Sequence, residues 1–271
     1  MDNTRAFTDS RHRIAAVSVA LREQPTAAST RVTEAVLGEP VQVLEMSGGW
    51  AHVSLPLQPT RLHPVGYPGW LPEDALRESD ELPCWQTVVE RAPVRDGTGR
   101  IVAELPIGSL LPEHGPDSDT VPIRLPSCGE GHVWAADVAR WPLPTAGRDT
   151  ILRVLGIWKH QPYVWGGTSS AAGPDCSGLT YRTYQRAGLC IPRDADDQFT
   201  MAPRKTQGAL DGARPGDLVF FQQPHHDYID HVGIYLGDSR YLSARMSKKG
   251  ISVDPIYSDL SYVGWASYLP D

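Results

Sequence analysis

The sequence predicts an α+β protein with a β-rich N-terminal half, and three observations carry that prediction. Residues from about 12 to 80 read as short strands, residues from about 85 to 140 repeat their order, and from about 148 onward helical spacing precedes strand-like runs. Helices followed by an antiparallel sheet is an α+β order. The 24 prolines and 25 glycines are spread along the chain, which favours many short strands and turns over long helices.

In the first segment the runs are "RIAAVSVALREQP", "TEAVLGEPVQVLEMSGGWAHVSL" and "GYPGWLPEDAL". Val41 and Val43, then Ala51 and Val53 against Trp50 and His52, alternate with period 2, as half-buried strands do. In the second segment "TVVERAPVRDGTGRIVAELPIGSLLPEHG" matches the first strands and "GEGHVWAADVAR" stands where "GYPGWLPEDAL" stood. Two copies of a module of about 60 residues imply duplication of a small barrel-like unit. An R-x-x-P after the first strand and a G-x-x-W with a later D-A or D-V resemble bacterial SH3 domains. The expected domains are 1–82, 83–143 and 144–271.

"WPLPTAGRDT" reads as a linker. After it Ile151, Val154, Leu155 and Trp158 fall at helical spacing, closed by Pro162 and two glycines. A second helix is expected over "CSGLTYRTYQRAGL", with Leu179, Thr183 and Ala187 on one stripe and Gly188 at its C′ position. Strand-like runs follow at 216–222, 231–237, 240–245 and 250–256, with "GDS" as a tight turn between the second and third.

Composition narrows the function classes. No stretch approaches the roughly 18 to 20 apolar residues of a membrane helix, and "MDNTRAFTDSRHRI" lacks the apolar core of a secretory signal. A cytoplasmic protein is expected, although a chain trimmed of its signal would read the same. With a net charge of −7 and no basic run longer than Lys248-Lys249, nucleic acid and anionic membranes are not expected partners. The four cysteines fall singly, so neither a zinc site nor a disulfide scaffold is signalled.

Cys176 is the chemically suggestive one. It opens a predicted helix, where unpaired backbone N–H groups and the positive end of the dipole favour a thiolate and would hold an oxyanion. A cysteine nucleophile also needs a base that is near in space, and His231 opens a strand further on. Packing is the competing explanation, because a buried free Cys behaves as a small hydrophobe; Cys84, Cys128 and Cys190 are read that way. "PHHDYIDH" reads as a solvated loop rather than a metal cluster. Arg193 and Asp194 are expected to form a structural ion pair, lining of the cleft being the alternative, and Asp217 to hold a turn.

Five ordered blocks decide between these readings: "PYVWGG" (162–167), "DCSGL" (175–179), "IPRDADDQ" (191–198), "RPGDLVFF" (214–221) and "DHVGIYLG" (230–237). Residues from about 148 to 271 resemble the NlpC/P60 cysteine peptidases. The resemblance implies a papain-like α+β domain with Cys176 as nucleophile, His231 as base and Tyr163 on the oxyanion side. It further implies that Asp175 and Ser177 contact the substrate's free α-amine and peptide, a helix N-cap being the alternative for Asp175. The third triad position, where the family has a group accepting the Nδ1 proton of the base, falls on Ser243; His225 and His226 remain open as substitutes. Two bacterial SH3 modules before such a domain are similar to γ-D-glutamyl-L-diamino acid endopeptidases that act on free murein peptides beginning with L-Ala. In those relatives the first module contributes a tyrosine and a carboxylate to the pocket, for which Tyr67 and either Glu39 or Glu45 stand here. A peptidoglycan-derived peptide is the implied partner and no cofactor or metal is implied. A secreted hydrolase of polymeric wall and a weakly catalytic peptide-binding protein are the alternatives.

Overall fold

The structure, a computed structural model, describes residues 10–112, 119–125, 129–257 and 261–270. Cys128 lies outside the described residues. The chain divides into two compact units, one comprising Met1–Leu143 with Ser169–Ala171 and the other Pro144–Thr168 with Ala172–Asp271. It is rich in sheet, with few helices.

In the first unit, β1 (His12–Ile14), β2 (Ser18–Arg22), β3 (Arg31–Val36), β4 (Pro40–Ser47), β5 (Trp50–Leu55), β6 (Tyr67–Pro72) and β7 (Leu76–Glu78) form one sheet in the order β3-β2-β6-β5-β4-β1-β7. Alternation places Val41, Ala51 and Val53 in a core with Ile14, Leu21 and Leu71. The chain then runs through β8 (Pro83–Thr87), β9 (Arg91–Arg95), β10 (Ile101–Pro106), β11 (Leu110–Pro112), β12 (Thr120–Leu125), β13 (Gly129–Trp134) and β14 (Val138–Arg140). β8 pairs with β11 and β14 as β1 pairs with β4 and β7, while β9 pairs with β10 and β13 as β2 pairs with β3 and β6. Each set also carries a 3-10 turn before its last strand, Glu73–Ala75 and Ala135–Asp137.

The second unit begins with α1 (Arg148–Val154), which tightens into a 3-10 turn over Leu155–Trp158, followed by α2 (Cys176–Arg186) and α3 (Ala195–Thr200). α2 ends in a Schellman motif: Gly188 N–H donates to Gln185 O, Leu189 N–H donates to Tyr184 O, and Gly188 has φ +72°. β15 (Arg204–Gln207), β16 (Leu218–Gln222), β17 (His231–Gly237), β18 (Arg240–Arg245), β19 (Gly250–Pro255) and β20 (Ser261–Ser267) build an antiparallel sheet in the order β15-β20-β16-β17-β18-β19. Asp238 and Ser239 both have positive φ, 50° and 53°, the geometry of a tight turn between β17 and β18. Asp217 holds the turn into β16, accepting from the N–H of Arg214 and pairing with Arg148 at 2.8 Å each. Three elements, β15, β20 and α3, go beyond the sequence reading. "RKTQ" offers no apolar alternation and six residues of α3 are too few to display a helical period.

Candidate active site

α2 can begin where it does because Gly178 has no side chain. A Cβ there would stand 2.0 Å from the carbonyl oxygen of Gly167, so the first turn of the helix packs directly on the backbone of "WGG". Asp175 caps the helix, its Oδ1 accepting from Gly178 N–H at 2.6 Å. The same oxygen accepts from Ser177 Oγ at 3.3 Å, while Oδ2 accepts from Gly166 N–H at 3.0 Å and from Arg193 Nη2 at 2.7 Å. An ionised carboxylate has about four acceptor positions, and these four bonds use them. Asp175 therefore stands as a cap and ion-pair partner, the alternative weighed for it above. Arg193 pairs with Asp175, its Nη2 lying 2.7 Å from Oδ2.

Cys176, nearly buried, follows the cap. The backbone of Val232, the Arg193 charge and the backbone of Ser177 favour its thiolate. Burial first, and then Asp175, act the other way and push the thiol up to about 12. The helix N-terminus alone was expected to lower it; desolvation outweighs that contribution. Ser177, the next residue, is held on several sides. Its hydroxyl accepts from Arg193 Nη1 at 2.8 Å, and its carbonyl accepts from Thr180 Oγ1 at 2.9 Å and Gln198 Nε2 at 3.1 Å.

α2 packs against β17, which His231 opens. His231 Nε2 lies 3.1 Å from Ser243 Oγ on β18, and its ring packs against Phe221 and Tyr241. The nitrogen facing the third position is thus Nε2, not the Nδ1 expected from the sequence, which leaves Nδ1 as the other edge of the ring. Gly233 makes room for this pair, since a Cβ there would lie 2.4 Å from Tyr241 Cδ2 and 3.1 Å from Ser243 Cβ. His226 Nδ1 lies 2.6 Å from Asp230 Oδ2, and His225 is exposed in the same loop.

Tyr163 is fixed through its backbone, its N–H donating to Lys249 O at 3.1 Å. Burial, reinforced by Cys176 and Asp175, holds its phenol proton well above the ordinary range. It is consequently a hydroxyl donor at any physiological pH.

The first-unit residues are placed differently. Tyr67 is buried in the core with Ile14, Leu21 and Leu71, and Glu39 is buried while Glu45 is exposed on β4. The sequence reading passed over Glu34, fully buried, which lies 3.3 Å from Arg31 and accepts from Ser169 N–H at 3.0 Å. A charged residue inside the "RVTEAV" strand was the available signal. Arg193 was read as structure within "IPRDADDQ" and Gln198 was passed over; their contacts with Ser177 connect that block to the nucleophile candidate.

Comparison with known proteins adds the following. The profile of the NlpC/P60 family matches residues 160–268, and that of the bacterial SH3 domain matches residues 17–76. The gamma-D-glutamyl-L-lysine dipeptidyl-peptidase of Bacillus subtilis (strain 168) is 30% identical over 225 residues, covering 82% of this chain and 74% of the relative. The protein of that name from Bacillus cereus (strain ATCC 10987 / NRS 248) is 28% identical over 264 residues, covering 90% and 77%. The crystal structure of an NlpC/P60 family protein from Bacillus cereus ATCC 10987 shares the fold with a TM-score of 0.84, 23% identity and coverage of 96% of this chain and 100% of that one.

Proposed function

The chain belongs to the NlpC/P60 family and is a cysteine peptidase, and on that premise we propose that it hydrolyses the amide between the γ-carboxyl of D-Glu and a diamino acid in peptidoglycan-derived peptides with a free N-terminal L-Ala. The observation that carries this reading is that α2, which Cys176 opens, packs against β17, which His231 opens. Two relatives named for γ-D-glutamyl-L-lysine cleavage support the substrate class. The layout we propose is 1–82 and 83–143 as two bacterial SH3 modules, the second on the strength of its matching strand pairings, and 144–271 as the catalytic domain.

In the proposed reaction His231 takes the Cys176 proton as the sulfur attacks the γ-amide carbonyl. Nε2 faces Ser243, so Nδ1 is the edge that exchanges this proton. A thiol pushed up to about 12 does not ionise by itself at neutral pH; the thiolate arises only together with an imidazolium. Backbone N–H groups at the start of α2 and the Tyr163 hydroxyl receive the negative charge that develops on the carbonyl oxygen. Collapse expels the diamino acid's amine, which takes a proton from His231, and water then releases L-Ala-D-Glu from the sulfur. Ser243 supplies an acceptor without a charge, which supports slow turnover of a tightly bound peptide as the second reading.

Turnover of synthetic L-Ala-γ-D-Glu-L-Lys and L-Ala-γ-D-Glu-diaminopimelate, with free and with acetylated amines, tests the proposal against intact sacculi. Release of L-Ala-D-Glu from the free-amine peptides and its loss in Cys176→Ser are expected. A fully active Cys176→Ser, or faster cleavage of sacculi than of free peptide, overturns it.

A further inference from the structure

Two hydrogen bonds of the buried Arg193 guanidinium go to the residues that flank Cys176. Nη2 donates to Asp175 Oδ2 at 2.7 Å and Nη1 donates to Ser177 Oγ at 2.8 Å. Such placement has a physical consequence. A carboxylate is a strong helix cap, yet a bare anion one residue before the nucleophile opposes the formation of a thiolate. Capping α2 with Asp175 and forming an anion on Cys176 are therefore in conflict unless a cation stands between them. Arg193 is that cation. From the same segment Gln198 holds the Ser177 carbonyl and, at 2.8 Å, that of Pro192. "IPRDADDQ" thus grips the residue that follows Cys176.

We propose that Arg193 is a positioning residue: it neutralises the Asp175 cap and fixes Ser177, so that the Cys176 thiolate forms beside a neutral ion pair instead of beside an anion. The inference rests on Cys176 being the nucleophile. The groups around the sulfur pull as this requires, Asp175 disfavouring the thiolate and Arg193 favouring it. Tyr163 from the preceding loop is a further titratable neighbour, and His231 opens β17, against which α2 packs.

The test is the pH dependence of Cys176 alkylation by iodoacetamide in the full chain, read by mass on the peptide that contains Cys176, alongside thermal melting. Arg193→Gln leaves the cap anion unpaired and is expected to move the labelling profile toward alkaline pH by about one unit. Arg193→Lys keeps the charge and should leave the profile near that of the parent. Asp175→Asn keeps a good cap and removes the anion, so its profile should move toward acid. If Arg193→Gln fails to fold, Asp175→Asn carries the test alone. Profiles that coincide with the parent while only melting temperatures fall overturn the inference. An active Cys176→Ser would instead bring down the nucleophile assignment, whatever the labelling profiles show.

Discussion

Around Cys176 the flanking residues are fixed by a buried ion pair, a cap and a backbone-to-backbone approach, whereas the group that meets His231 from the neighbouring strand is a neutral hydroxyl. The contrast follows from where each residue sits. Cys176 opens a helix whose first turn must satisfy its own N–H groups and pack on the "WGG" backbone, so precision there comes from the fold's own demands. His231 opens a strand in mid-sheet, where ladder bonds fix the backbone but leave the imidazole to be oriented by side chains of β16 and β18. Geometry is therefore overdetermined at the nucleophile and tunable at the base.

The largest expected effect breaks the rigid side. In Gly178→Ala the new Cβ meets the Gly167 carbonyl oxygen at 2.0 Å, and neither partner is a flexible side chain. α2 must slide away from the loop, carrying Cys176 with it. A displacement of about 1 Å costs on the order of 100-fold in rate, so peptide turnover should fall at least that far, with a lower melting temperature. Near-parental activity would mean that the close approach does not position the thiol.

A second substitution asks how much stability the cap region holds. Asp175→Ala removes a cap worth about 1 kcal/mol and breaks the ion pair with Arg193, whose side chain is 1% exposed. Breaking a buried pair typically costs about 3 to 5 kcal/mol. Denaturant unfolding should show a loss in that range, and a loss below about 1 kcal/mol would contradict the account of a locked helix start.

Much of this was legible in the sequence for a simple reason: the features that fix chemistry here are local. The order of helices and strands, the C′ role of Gly188, the turn held by Asp217 and the pairing of His231 with Ser243 all follow from spacing or from residues adjacent in one motif. What stayed hidden depends on distance through space. Arg193 was read beside its neighbour Asp194, and its contact with Asp175, 18 positions back, is not visible from spacing. The helix terminus beside Cys176 is visible in a sequence, and the burial that pushes its thiol up is not. Tyr67 packs with Ile14, Leu21 and Leu71, and "GYPGW" alone left a pocket residue and a plain barrel residue equally open. The ring edge facing Ser243 likewise depended on a rotamer.

Alkaline unfolding gives a third and smaller effect. The folded state holds the Cys176 proton up to about 12, against an ordinary value of 9.0. Between those values the folded chain binds more protons than the unfolded one, so this thiol's contribution is complete below about pH 9 and declines as pH rises toward 12. Cys176→Ala removes that decline. The stability difference between parent and variant should therefore shrink by about 1 kcal/mol for each pH unit above 9, and a difference constant from pH 8 to 11 would refute the buried, protonated thiol.

The smallest effect belongs to the tunable side. Ser243→Ala deletes the hydroxyl that meets His231 Nε2 and leaves the ring packed on Phe221 and Tyr241. One neutral hydrogen bond is worth about 1 kcal/mol, and a kcat loss of less than about 10-fold is expected, with KM little changed because Ser243 is buried on β18 away from solvent. The size of that loss separates two accounts of the base. If Ser243 merely steadies the ring, a modest decrease at every pH follows, since packing retains most of the orientation. Were the hydroxyl instead the group that sets which ring nitrogen carries the proton, its removal would free the other tautomer and the loss would exceed 100-fold, as wrong-tautomer variants of catalytic triads do. Adding a larger acceptor does not answer the question as cleanly. Ser243 has no exposed surface and the backbone of β17 runs against it at Gly233, so a bulkier side chain there tests overpacking before it tests charge.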